Sequence, residues 1–184
     1  TIIDLINRLL KQVFNTINIP FPDAIHSLTY EDAMNQYGTD APDTRFDMRF
    51  KDLTELAKNV EFKVFQDAVS KGGSVKAICV KNGAESLSRK AIDTLIENCK
   101  PYGVKGIAWF HVEPDGSLRS PISKFFNDDQ LATLITICDA TPGDSILCVA
   151  DSDTRTVNTG LGKCRLFVAE HCNIIPQTFS LVWV

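Results

Sequence analysis

A chain of 184 residues with net charge −4, 44% hydrophobic and 23% charged, has the make-up of a water-soluble globular protein of one full domain with additional pieces. No apolar run approaches the roughly 18–20 residues of a membrane span. The start has no basic, apolar and small-residue pattern of a secretory leader. An acidic total also argues against nucleic-acid binding by bulk charge.

Thr1 to Phe14 reads as a helix, with Ile2, Ile3, Leu5, Ile6, Leu9, Leu10, Val13 and Phe14 on adjoining faces. A helix that starts at the first residue suggests a piece of something larger. Asn15 to Ser27, with two prolines, is a connector. Thr29 is an N-cap, Glu31 and Asp32 suit the helix dipole, and Tyr30, Ala33, Met34 and Tyr37 form the apolar side of a short helix. Gly38 stops it, and Thr39-Asp40-Ala41-Pro42-Asp43 is a rigid polar turn. Asp52 to Lys58 is another short helix.

From Glu61 the period changes. Phe62, Val64 and Gln66 alternate with Lys63 and Phe65, which predicts a strand. Lys71-Gly72-Gly73 is a turn and Ser74 to Lys81 a second strand, so the two should form an antiparallel hairpin. A helix follows over Arg89 to Cys99, then a strand over Gly106 to Val112 and the turn Glu113-Pro114-Asp115-Gly116. Asn127-Asp128-Asp129-Gln130 has the form of a capping box and opens a helix carrying Leu131, Leu134, Ile135 and Cys138. Pro142-Gly143 breaks it. Asp144 to Ala150 is a strand, Asp153 caps a last helix with Val157, Leu161, Cys164 and Val168, and Phe179 to Val184 is a final strand. Strands separated by helices without a regular β-α-β repeat imply an α+β fold with a mostly antiparallel sheet.

Residues 29–45, TYEDAMNQYGTDAPDTR, resemble the T-Y-x-E-A-M-x-x-Y-G-S-D-K-P-D-x-R segment of bacterial-type aspartyl-tRNA synthetases. Ala41 stands where that family has lysine, which removes or moves any contact made there. Thr39 for serine is a mild change. The later runs SLSRK with Ile92-Asp93, YGVKGIA at 102–108, SPISKFF at 120–126, Gly143-Asp144 and Leu161-Gly162 with Arg165-Leu166 resemble the GAD insertion domain. That domain is shared between those synthetases and archaeal tRNA-dependent amidotransferases. The closing Leu181-Val182-Trp183-Val184 is similar to the L-x-W-V return into the catalytic core. The resemblance implies a catalytic-domain flank at 1–57, an insertion at 58–173 and a return strand at 174–184.

The resemblance further implies a class II parent that activates aspartate with ATP and Mg²⁺ and transfers it to the 3′ end of tRNA. Such a parent is a cytoplasmic homodimer. Its arginine and carboxylates for that chemistry lie outside these residues, so the fragment is expected to be non-catalytic and to bind no cofactor or metal. Tyr37, Asp40, Asp43 and Arg45 would lie next to the active site. Two other readings stand beside this one: a GAD-containing amidotransferase subunit, and a stand-alone RNA-binding or interaction module. The Tyr37 to Arg45 run and the L-x-W-V end argue against the amidotransferase.

Read without the resemblance, the residues offer few sites. Gly160-Leu161-Gly162-Lys163-Cys164-Arg165 fails as a phosphate loop, with Val157 where glycine is needed and cysteine after the lysine. Its glycines suit close helix packing. The six cysteines contain no C-x-x-C, and Cys79, Cys138 and Cys148 lie in apolar runs, as reduced core thiols of a cytosolic protein do. The three histidines have no metal-ligand spacing.

Charge is distributed unevenly. Residues 58–126 carry eleven basic and seven acidic groups inside an acidic chain. Arg89 and Lys90 fall in the first turn of a helix, where positive charge costs roughly 0.3–1 kcal/mol, so an anionic partner or a local acid should compensate. With Lys105, Arg119 and Lys124 they are candidates to face the acceptor end of tRNA; a solvated face with local ion pairs is the competing reading. Trp109 and His111 share a strand face that could stack on RNA or be covered by a helix.

Overall fold

The computed structural model describes residues 1–184. Its helices are α1 (Ile2–Thr16), α2 (Tyr30–Tyr37), α3 (Thr54–Ala57), α4 (Lys63–Ser70), α5 (Gly83–Ser86), α6 (Arg89–Cys99), α7 (Asp128–Cys138) and α8 (Thr154–His171). The strands are β1 (His26–Ser27), β2 (Lys51–Asp52), β3 (Ser74–Val80), β4 (Ala108–Val112), β5 (Leu118–Arg119), β6 (Ser145–Asp151) and β7 (Val182–Trp183). The α+β expectation holds.

The main sheet has the order β2-β3-β6-β4-β5, and every pairing in it is antiparallel. Its two long strands, SVKAICV and SILCVAD, carry β-branched and apolar residues on both sides because helices cover both faces. On one face Ile78, Val80, Leu147 and Val149 pack against α6, α8 and the extended residues Phe46, Met48 and Phe50. On the other, Val75, Ala77, Ile146 and Cys148 pack against α3, α4 and α7. Each Val, Leu or Ile buried in this way contributes about 1.5–3 kcal/mol.

Several termini follow the sequence closely. Thr29 accepts from the Asp32 amide, Asn127 and Gln130 complete a reciprocal capping box, and Asp153 accepts from the Arg155 amide. All six cysteines are free thiols, and five are buried.

The expected hairpin is absent. Residues 63–70 form helix α4, and β3 instead lies between β2 and β6. Five residues of alternation fit either period, and here the aromatic spacing decides. Phe62 and Phe65 meet at 5.0 Å between ring centroids, Phe65 reaches Phe126 and Ala68 is buried, while Val64 is left 54% exposed. The hairpin that does form joins β4 to β5 around Glu113–Gly116, with His111 opposite Arg119.

The final strand is shorter than expected. Only Val182–Trp183 pairs, in parallel with β1, as a separate two-stranded ribbon. That ribbon carries α1: the Trp183 indole donates to Asn7 Oδ1 at 3.1 Å, and Phe14 meets Phe21 and Phe179 edge-on.

Candidate functional site

The site with the most built-in geometry is the joint where α8 meets α2 and the loop after it. Asp153 starts α8 straight after β6, so the helix runs back across the sheet and delivers Gly160, Gly162 and Arg165 to the flank. Gly162 lets the two backbones touch, since a β-carbon there would lie 2.7 Å from the Tyr37 carbonyl oxygen. Gly38 answers from the other side. It ends α2 at φ 74°, and a β-carbon on it would sit 1.9 Å from the Asn158 carbonyl oxygen. Glycine at 38 therefore meets both a left-handed backbone and a close approach.

Arg165 locks the joint. It is 2% exposed, and it donates from Nε to the Met48 carbonyl at 2.9 Å. Its Nη2 donates to the carbonyls of Asp43 at 2.9 Å and Phe46 at 2.8 Å. The guanidinium lies 3.9 Å from the Phe46 ring centroid and 5.0 Å from that of Tyr37. A planar fork between two aromatic faces with carbonyls at its tips suits arginine and not lysine. Burial pushes its pKa down to about 10, while Tyr37, Asp43 and Asp47 act in the opposite sense, so it stays a cation at neutral pH. Lys76, buried in β3, adds a second tie: its Nζ donates to Asn35 Oδ1 at 3.3 Å and to the Asn35 carbonyl at 3.4 Å. Burial lowers the pKa of this lysine too.

The flank candidates gather on this side of the molecule. Tyr37 is buried beneath Arg165, and Asp40 is exposed in the turn beyond Gly38. Asp43 grips Arg45: its carboxylate accepts from Arg45 Nε at 3.0 Å, from Nη2 at 2.7 Å and from the Arg45 amide at 3.0 Å. The hydrogen bonds from Arg45 hold the Asp43 carboxyl below the usual carboxylate range. Arg45 lines a cleft with His26, Thr44, Arg49 and Ser180. Thr44 and Ser180 hydroxyls meet at 2.7 Å, which ties the loop to the return segment.

The five basic candidates are not brought together. Arg89 and Lys90 are exposed in the first turn of α6, with no acid within ion-pair distance. Lys105 is paired with Asp151 at 2.7 Å, and Arg119 with Glu113. Lys124 stands 5.2 Å above the Phe125 ring, and Phe125 packs with the helix layer on the opposite face of the sheet from α6. Trp109 and His111 do not form an open stacking face. His111 is 3% exposed, with Nδ1 2.6 Å from Ser145 Oγ and the Trp109 ring 4.6 Å away. Burial lowers the His111 pKa, so the ring is neutral at pH 7.

One further polar centre lies between the end of β3 and the start of β6. Asp144 is 2% exposed on its side chain. It accepts from Lys81 Nζ at 2.9 Å, from the Asn82 amide at 2.9 Å, and from the amide and hydroxyl of Thr141 at 2.8 and 3.0 Å. Burial alone would raise its pKa; these four donors outweigh it and the carboxyl titrates below its ordinary value. This network fastens the β3–α5 corner to the turn before β6 and keeps the carboxylate away from solvent.

No three His, Cys, Asp or Glu side chains converge as metal ligands. The Gly160 to Lys163 run lies inside α8, where a β-carbon on Gly160 would meet Val104 at 2.3 Å. No helix is long and apolar enough to cross a membrane.

Arg165 and Lys76 were missed as functional candidates, although a signal existed. Arg165 falls four residues after Leu161 and three before Val168, inside the apolar stripe of its helix. A charge on a buried stripe must be paired or hydrogen-bonded, and the preceding G-x-G marks where a second backbone comes close.

The fold and this joint define an α+β protein in which a five-stranded antiparallel sheet, covered by helices on both faces, is fastened through α8 to α2 and the loop after it. The description "GAD domain" matches residues 65–161, and the chain belongs to that family. Over its whole length it is also similar to aspartate–tRNA(Asp/Asn) ligases. Identity to the ligase of Bacillus cytotoxicus is 43% over 189 residues, covering 100% of this chain and 31% of the relative. For Persephonella marina it is 43% over 182 residues, covering 98% and 29%. The chain thus spans just under a third of the length of these relatives.

Proposed function

We infer that this chain is the insertion-bearing portion of an aspartate–tRNA ligase, which activates aspartate with ATP and Mg²⁺ and transfers it to the 3′ end of tRNA. The observation that carries this is 43% identity to such ligases across the full chain, flanks included. The fastening of flank to insertion by Arg165 supports it, because the two then act as one piece of a larger enzyme.

In this reading residues 1–57 and 174–184 belong with the catalytic part, and 58–173 are the insertion. ATP, aspartate and Mg²⁺ are held by residues outside the chain, and the parent works as a homodimer in the cytoplasm. Tyr37, Asp40, Asp43 and Arg45 form part of the wall beside the active site. Arg89 and Lys90 are the best placed of the basic residues to meet the acceptor end of tRNA, since they stand side by side at an exposed helix start and, unlike Lys105 and Arg119, have no acid partner.

The test is aspartate-dependent exchange between ATP and pyrophosphate by the protein encoded by the whole reading frame. Exchange with aspartate and none with glutamate supports the reading. Its absence, or exchange catalysed by residues 1–184 alone, refutes it.

A further inference from the structure

We propose that Arg165, on a helix of the insertion, is a positioning residue for the reaction of the parent enzyme. It acts by fixing the backbone that presents Asp43 and Arg45. The inference rests on the reading that the flank lies beside the active site. It goes further in making the insertion a structural part of that wall.

The chain of contacts is short. Arg165 Nη2 holds the carbonyl of Asp43, and the Asp43 carboxylate holds the Arg45 guanidinium on two nitrogens and its amide as well. The exposed head of Arg45 in its cleft is therefore one residue removed from the insertion. Thr44 with Ser180 and the Phe50 amide with the Gln36 carbonyl tie the two sides of the loop, and Arg165 holds its middle. Between Gly38 and Phe50, the carbonyls of residues 43, 46 and 48 find no backbone donor outside the loop and end on this one side chain. The rings of Tyr37 and Phe46 close both faces of the guanidinium, so the fork has one orientation. A loop held in this way moves as a unit with α8.

Arg165 itself reaches no solvent-facing cleft and touches no substrate. Its loss should therefore change the rate of the reaction through geometry and not through a direct contact. Displacing a reacting group by about 1 Å costs up to about a hundredfold in rate.

The experiment uses the whole enzyme, with active sites counted by the burst of aspartyl-adenylate formation. Arg165→Lys keeps the buried charge but loses the fork; Phe46→Leu keeps most of the volume but loses the ring at 3.9 Å. In both, kcat per titrated site should fall at least about tenfold, with KM for ATP and aspartate within about twofold of the parent. Amides of residues 43–48 should exchange hydrogen faster while β3 and β6 stay protected. A purely structural role predicts fewer titratable sites, each with normal kcat, and that result overturns the proposal. Normal kcat in whichever variant folds overturns it as well. An unmutated enzyme without aspartate-dependent exchange refutes the functional reading itself, and this inference falls with it.

Discussion

Gly162→Ala sets two known effects against each other and shows which governs α8. In an isolated helix the change should stabilise by about 0.8–1 kcal/mol, because alanine is the better helix former. Here the new β-carbon would lie 2.7 Å from the Tyr37 carbonyl oxygen, 3.4 Å from Gly38 Cα and 3.5 Å from the Gly38 oxygen. All three are backbone atoms, so no rotamer change relieves the overlap and the end of α2 must move away. Overpacking of this kind costs about 1–3 kcal/mol, and separation also stretches the hydrogen bonds of Arg165. The net expectation is a loss of about 1–2 kcal/mol, or a Tm lower by roughly 2–8 °C for a chain of this length. Thermal and urea unfolding followed by circular dichroism read it directly. Gly106→Ala, whose β-carbon meets nothing within 4 Å, is the control and should not lose stability. A Gly162→Ala protein more stable than the parent by the full propensity gain would refute the close-contact argument.

Asp144→Asn should cost about 2–3 kcal/mol at pH 7, since it removes a charged acceptor from a buried network. Because its folded pKa is depressed, the stabilisation from Asp144 is present above the unfolded value of about 3.9 and is lost as pH falls through the lower folded value. Acid titration of stability should therefore be shallower in the Asn variant. His111 also has a depressed folded pKa, so protonation of the unfolded chain below about pH 6.5 weakens the native state; His111→Gln should flatten that part of the profile. In a titration with an acceptor-stem minihelix at low salt, Arg89→Glu with Lys90→Glu should weaken binding and reduce its salt dependence. Lys105→Ala, already paired with Asp151, should change it little; equal effects would remove the case for the first turn of α6.

Local signals carried much of the fold. The capping box at Asn127, the caps at Thr29 and Asp153, and the two long apolar strands are decided by residues close in sequence, and each is where the pattern puts it. Residues 62–66 were misread because a few alternating residues carry both periods, and the contact that resolves them comes from Phe125 and Phe126, far along the chain. The placement of β2 against β3 and of β7 against β1 is likewise non-local. Basic residues were legible as a count but not as a surface. Their partners Asp151 and Glu113 sit 46 and 6 residues away, and only the folded sheet brings the more distant pair together. The joint was half legible: the glycines of α8 pointed to close packing, but not to what they pack against.

Locking around Arg165 should make residues 1–57 and the sheet-bearing residues 58–173 unfold as one cooperative unit. The chain has two tryptophans, and they report the two parts separately: Trp109 lies in β4 of the main sheet, and Trp183 in the ribbon that carries α1. Urea unfolding of Trp109→Phe and Trp183→Phe, each followed by its remaining tryptophan and by circular dichroism, measures whether they unfold together. Coincident midpoints and slopes are the expected result. A Trp183 transition that completes at lower urea, with its own smaller slope, would contradict the account and leave the flank a loosely attached piece.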